Sequence, residues 1–372
     1  MANVAPIFAD YNSTTPLCSD VLTAIQSWGS TVGNLSSSHQ FGQHIQHVYD
    51  VACDQIQARF NANGYALFSC SSATEANNWF FNSLFEDCDH VPRVIVSAIE
   101  HPCVSMALMK FATQGKIDLQ TCRVDHNGIL DLNHFSELLN DNTALVSVML
   151  ANNEIGTIQP LMDISTLAKS VGALVHSDIV QAAGKIPIDV LDLGLDAVSL
   201  SAHKCYAPVG SGVLMVNDPD LIRPMLLGGS QQQQLRAGTV NVLGLHLFSI
   251  GLDYCYRSLP SCVDVHGWAE SMCDSADHLM VPISLSDKTN LWNTVPISVK
   301  GQLAHDVMMR LDMNGIGVST GSACSTGAVE TSPTIQALQL SKDVGDSIIR
   351  LSFGYPTTQE DLISIAEIFS SF

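Results

Sequence analysis

Between about residues 65 and 216, short apolar, β-branched runs alternate with longer stretches of helical periodicity. The runs are Val94-Ile95-Val96, Leu145 to Leu150, Leu174-Val175, Ala197 to Leu200 and Val213 to Val216. Strand-length runs separated by helices predict a parallel α/β sheet. The stretch Leu161 to Val171 predicts one crossover helix, with Asp163 near its start and Gly172 placed to end it. Near residue 255 the pattern changes. Asn293 to Val299 predicts a strand, Ala304 to Met313 a helix ended by Asn314-Gly315, and Leu362 to Phe372 a final helix. The organisation expected is a large α/β domain over 15–255 and a smaller α+β domain built from 1–14 and 256–372, with the boundary within Gly251 to Cys262.

Composition narrows the function classes. The chain has 372 residues, 46% hydrophobic and only 14% charged, which excludes a disordered linker and leaves a surface poor in charge. An extensive buried interface accounts for that surface, so an oligomer is expected. Lys and Arg number 16 against 36 Asp and Glu, a net charge of −20. With no basic cluster to neutralise phosphates, direct nucleic-acid binding is not expected. The opening residues lack a basic start followed by an apolar stretch, and the apolar runs fall far short of the roughly 20 residues that span a bilayer. Eleven scattered cysteines without C-x-x-C pairs suggest free thiols in a reducing compartment, so the expected location is the cytoplasm, away from membranes.

Three segments carry chemistry. Ser199-Leu-Ser-Ala-His-Lys204 puts a hydroxyl, an imidazole and an amine at the end of an apolar strand. Val175-His-Ser-Asp178 ends another strand in an acid, the partner a protonated pyridinium needs while a lysine forms a Schiff base. Cys70-Ser-Ser-Ala-Thr-Glu-Ala-Asn-Asn78 leads from a strand into a helix whose first turn would offer free N–H groups to a phosphate. Read singly, each has a plainer meaning: a solvated lysine, a capping aspartate, an ordinary polar helix start.

Taken with Asn12 to Pro16, Gly33 to His39, Ser97-Ala-Ile-Glu-His101, Asn152-Asn-Glu-Ile-Gly156, Arg236-Ala-Gly-Thr239 and Gly321-Ser-Ala-Cys324, these segments identify the chain as resembling the cysteine desulfurases. That group belongs to the class V aminotransferases, pyridoxal 5'-phosphate enzymes of aminotransferase-like fold type I. The resemblance covers nearly the whole chain. It implies that Lys204 is the Schiff-base lysine, that Asp178 partners the pyridinium nitrogen, and that Asn153 and Gln181 bond the ring's phenolic oxygen. His101 would stack on the ring. Ala73, Thr74, Ser201 and His203 would hold the phosphate, and Thr239 would reach the site from the second subunit of a homodimer. Arg350, with Asn153, would bind the substrate carboxylate, which a guanidinium can fork.

Cys324 lies in Ser319 to Ala328, a stretch of small polar residues with two glycines that predicts a mobile loop. The resemblance implies that its thiolate takes sulfur from L-cysteine, leaving L-alanine, and carries it as a persulfide to an acceptor protein. The loop resembles the long type of donors to scaffold or transfer proteins. Cys205, next to Lys204, reads as core packing. Iron–sulfur assembly, tRNA thiolation and sulfur modification of DNA are the acceptor pathways compatible with such a donor. The chain departs from the family pattern at Ser72, Ala207 and Ser230, where glycine is usual, and at Gln231 to Gln234, where a Glu/Arg-containing run is usual. Lost glycines can crowd a phosphate or strain a turn. A selenocysteine lyase-like enzyme and a weakened, partner-docking subunit are the rival readings.

Overall fold

The computed structural model describes residues 6–320, 324–325, 328–329 and 331–372. Its main sheet has seven strands: β1 (Ala66–Cys70), β2 (Arg93–Ser97), β3 (Asp118–Cys122), β4 (Thr143–Ser147), β5 (Leu174–Asp178), β6 (Ala197–Ser201) and β7 (Gly212–Val216). They lie in the order β1-β7-β6-β5-β4-β2-β3. Neighbours pair in parallel except β7, which runs antiparallel to both β1 and β6. The expected parallel sheet is therefore a mostly parallel one. The reason lies in the connection: only ten residues separate Ser201 from Gly212, too few for a crossover helix, so the chain must turn back. Gly212 is required where this turn passes the start of the helix that follows β1, since a Cβ there would lie 2.4 Å from the Ser72 carbonyl carbon.

A second sheet joins β8 (Leu279–Met280), β9 (Thr294–Val299), β10 (Ser319–Thr320) and β11 (Ile348–Ser352) in the order β10-β11-β9-β8. The chain start reaches this side: Ile7–Phe8 pairs with Ile316–Gly317. A short backbone pairing joins Cys324–Ser325 to Ala328–Val329.

The helices that position the site are α1 (Ala73–Phe85), α2 (Pro102–Thr113), α3 (Leu161–Ser170), α4 (Val242–Ser258), α5 (Ala304–Met313) and α6 (Gln359–Phe369). Gly172 and Gly315 adopt φ of 78° and 80° just past the ends of α3 and α5, the left-handed stop that glycine permits. The final helix begins three residues earlier than its apolar pattern suggests, because Thr358 and Asp361 form a reciprocal capping box. β4 ends at Ser147 rather than Leu150; the apolar residues beyond it enter the loop leading to Asn153. Helix α4 runs unbroken through residues 255 and 256 and ends at Ser258.

Apolar residues of the long sheet are covered on both faces. One core gathers Ile95, Val146, Val175, Val198 and Phe248; the other gathers Trp79, Phe80, Phe81, Val94 and Phe111. A third fills the second sheet with Val295, Ile297, Ile349, Leu351 and Phe369. Burial on both faces explains why central strands such as β2 and β7 carry consecutive apolar residues, Val94-Ile95-Val96 and Val213 to Val216.

Candidate active site

The carboxyl ends of β1, β2, β4, β5 and β6 converge on a cleft of about 400 Å³, as expected for ligand sites in α/β sheets. Ala73, Thr74, His101, Asn153, Asp178, Gln181, Ser201, His203, Lys204 and Arg350 all line it. These residues come from segments as far apart as 73 and 350, so the sheet assembles what the chain scatters. Thr239 is exposed and is not among the lining residues of its own chain. The Cys324 side chain lies outside the described residues.

Helix α1 starts at the cleft with Ser72 as its N-cap, the hydroxyl accepting from Glu75 N at 3.2 Å. Ser72 is extended (φ −169°), a conformation any residue adopts, so the loss of glycine there brings no backbone strain. Glu75 Oε2 accepts from Ser71 N, and Arg236 binds both carboxylate oxygens at 2.9 and 3.2 Å. Burial works against the Glu75 charge, yet the hydrogen bonds from Arg236 and Ser71 hold its carboxyl below the usual range. The ion pair ties the segment Arg236 to Thr239 to the start of α1. At the first turn, the N–H groups of Ala73 and Thr74 have no partner inside the helix and are offered to the cleft.

The glutamine run also has a structural use. Gln232 pairs its side-chain amide with both backbone groups of Ser69, accepting at 2.7 Å and donating at 3.0 Å, and so covers the edge of β1 as a neighbouring strand would. The run pays for this with positive φ at Gln232, Gln233 and Gln234.

Asp178 is 6% exposed. Its Oδ1 accepts from Val180 N at 3.0 Å and its Oδ2 from Asn77 Nδ2 at 2.9 Å. Beside it, His101 caps α2, with Nδ1 accepting from Cys103 N at 3.1 Å. The Cys103 thiol sits 2.9 Å from the same Nδ1. With Nδ1 an acceptor, the proton of the neutral ring belongs on Nε2. Burial lowers the His101 pKa and Lys204 lowers it further, against the opposing pull of Asp178. Burial, with Asp178 second, pushes the Cys103 thiol up to about 12, so it stays protonated.

Lys204 follows β6 in a single 3₁₀ turn, Ala202–Lys204. Burial, then the charge of Arg350, lowers its pKa to about 8, although Asp10 and Asp178 oppose this. A sizeable uncharged, nucleophilic fraction is thus available near neutrality. His203 falls to about 4, through burial and then Lys204, and is neutral at pH 7. Arg350, 7% exposed on β11, donates to Asn153 O at 2.9 Å and to Asp10 Oδ1 at 2.5 Å. It faces inward, and Asp10 and the Asn153 carbonyl fix the guanidinium at the cleft. Cys205 is fully buried with its thiol toward Ala183 O, as core packing requires.

Sequence reasoning assigns no role to Asn77, Cys103 or Asn12, all of which line the cleft or bond its residues. Asn77 and Asn12 lie inside motifs that carry the resemblance, but nothing in their spacing marks them as supports for Asp178 and Lys204. Cys103 carries no signal in the sequence.

Known proteins resemble this chain along nearly its whole length. The model of the family "Aminotransferase class-V" matches residues 7–364. A "Cysteine desulfurase IscS" of Dictyoglomus turgidum is 32% identical over 367 residues, covering 96% of this chain and 91% of that protein. A solved structure described as "NIFS-LIKE PROTEIN" superposes with a TM-score of 0.89 at 26% identity, covering 98% of both chains. Another, described as "SspA in complex with cysteine", gives 0.81 at 25% identity over 93% of this chain and 98% of that one. Among the described residues, no helix is long and apolar enough to cross a membrane. From its matching family model, its relatives and its fold, the chain belongs to the class-V aminotransferase family, among the cysteine desulfurases.

Proposed function

We propose that this chain is a pyridoxal-phosphate-dependent cysteine desulfurase that converts L-cysteine to L-alanine, with Cys324 taking the sulfur as a persulfide and passing it to an acceptor protein. The observation that carries this reading is the meeting of Lys204, Asp178 and Arg350 in one cleft at the carboxyl edge of the sheet. The donor set fits the cofactor: an amine of lowered pKa, a buried carboxylate, a neutral imidazole and hydroxyls beside free helical N–H groups. When bound, pyridoxal phosphate supplies an electron-accepting ring.

Asp178 would keep a proton on the ring nitrogen, and Asn77 holds that carboxylate in place. Ala73, Thr74, Ser201 and His203 would hold the phosphate. Asn153 and Gln181 would donate to the phenolic oxygen, and His101 would cover the ring. Arg350 would orient the substrate carboxylate while Asp10 and Asn153 O keep the guanidinium from swinging away. A thiol suits the role of Cys324 because, unlike a serine hydroxyl, it ionises near neutral pH. The sparse charge and the exposed Thr239 support a homodimer in which Thr239 completes the neighbouring site, and the scattered cysteines support a reducing cytoplasm as its place of work. A division into residues 15–255 and a unit of 1–14 with 256–372 fits the separate apolar core of the second sheet.

The test is to supply the protein with pyridoxal phosphate and L-cysteine and to measure alanine and a persulfide on the Cys324 peptide. Cys324→Ser should keep the cofactor and lose alanine output by orders of magnitude. Full output from that variant, or a persulfide on Cys205 instead, would refute the reading.

A further inference from the structure

Lys185 is 7% exposed, lies one turn beyond the cleft residue Gln181, and pairs with no carboxylate among the described residues. A buried ammonium without a counter-charge is costly, so its surroundings must explain it. Its Nζ donates to Gln181 Oε1 at 2.7 Å and to Asn12 Oδ1 at 2.9 Å. Gln181 Nε2 in turn donates to the main-chain carbonyl of Asn12 at 2.9 Å. An ammonium can only donate and a carbonyl can only accept, so both contacts demand the same orientation of the Gln181 amide. One hydrogen of the NH₂ is spent on Asn12 O, and the other remains for the cleft that Gln181 lines.

We propose that Lys185 is a positioning residue: its buried amine clamps Gln181 Oε1 and Asn12 Oδ1 and thereby aims the Gln181 NH₂ at the phenolic oxygen of the cofactor. This rests on the reading of the cleft given above. The titratable groups that act on Lys185 are Lys204 and Arg350, which disfavour its charge, and Cys205 and Cys255; burial is the larger influence and lowers it to about 7. Even uncharged, the amine keeps hydrogens to donate to both amide oxygens.

The experiment titrates the visible band of the bound cofactor against pH in wild type, Lys185→Met, Gln181→Leu and the double variant. A donor to the phenolic oxygen favours its anionic form and lowers the pH midpoint of the band, so losing the donor raises it. Lys185→Met should raise the midpoint by about one pH unit, roughly a tenfold change in proton affinity. Gln181→Leu should do the same, and the double variant should shift no further than either single one. A merely structural lysine would lower thermal stability and leave the midpoint in place, which overturns the proposal, as would additive shifts. If wild type itself takes up no pyridoxal phosphate, the reading of the cleft fails, and this role with it. If wild type shows the band and Lys185→Met leaves it unmoved, the clamp alone fails. Should Lys185→Met not fold, a crystal structure of the wild-type holoprotein decides: Lys185 Nζ beyond hydrogen-bond reach of Gln181 overturns the proposal, and contact with Oε1 supports it.

Discussion

Lys204 Nζ donates to the main-chain carbonyl of Asn12 at 2.5 Å, the same oxygen that accepts from Gln181. Ser13 O takes a second hydrogen of the lysine at 2.6 Å. The Asn12-Ser13 backbone thus holds the amine in the cleft by acceptors that carry no charge. That choice matters: a carboxylate partner would have raised the lysine pKa, whereas carbonyls leave burial and Arg350 free to lower it.

The lowered Lys204 pKa sets the pH at which the amine becomes nucleophilic. Covalent capture of added pyridoxal phosphate by cofactor-free protein should accelerate about tenfold per pH unit up to about 8 and then level off. An ordinary lysine would keep accelerating toward 10.5. Stopped-flow absorbance measures this, and borohydride reduction followed by mass spectrometry should place the label on Lys204. Levelling near 10.5, or a label on another lysine, contradicts the assignment.

Asn77 is fully buried and donates to Asp178 Oδ2. Asn77→Ala should weaken cofactor binding by about 1–3 kcal/mol, the usual cost of removing a hydrogen bond to a buried charge. Asn77→Asp should be worse, since it sets a second carboxylate against Asp178. Equilibrium dialysis of the cofactor reads both, and unchanged affinity in both variants would show that Asp178 needs no such support.

Ser72 caps α1 from an unstrained backbone. Ser72→Ala should cost about 1 kcal/mol of stability, while Ser72→Gly, the residue more usual in the family, should cost only a few tenths. Denaturant unfolding of both variants checks the order; a stabilising glycine would mean that the serine is a strained replacement after all.

Glu100 is 9% exposed, and burial raises its pKa to about 8 despite hydrogen bonds from Ser97 and Met149 N. The folded state therefore keeps a proton that the unfolded chain gives up near 4.5. Its contribution is fully present below that pH and is lost as pH rises through about 8. Glu100→Gln removes this loss, so the melting temperature of the variant should gain on wild type steadily from pH 5 to pH 8. Parallel melting curves across that range would show that Glu100 is ionised in the folded protein.

Much of the protein is legible in the chain, and the physical reason is locality. β5 and β6 are buried on both faces, so each carries apolar residues on successive positions, Leu174-Val175 and Ala197-Val198, and each ends in its functional residue because the site lies at the carboxyl edge of the sheet. Left-handed glycines at 172 and 315 mark helix ends within one turn of sequence. Motif by motif, the resemblance then names residues that the fold brings into one cleft. What the sequence could not contain is set by contacts across long separations. The antiparallel pairing of β7 with the distant β1 joins residues about 150 positions apart and depends on which strand edge is open. Arg350 alternates with apolar neighbours as an exposed strand residue would, yet Asp10 draws it inward from 340 positions away. The low pKa of Lys204 arises from burial and Arg350, and the orientation of Gln181 from Asn12 and Lys185, none of which is encoded in the His-Lys motif itself. Local propensity wrote the elements and their ends; desolvation and hydrogen bonding, which act through space, decided the chemistry of the side chains they carry.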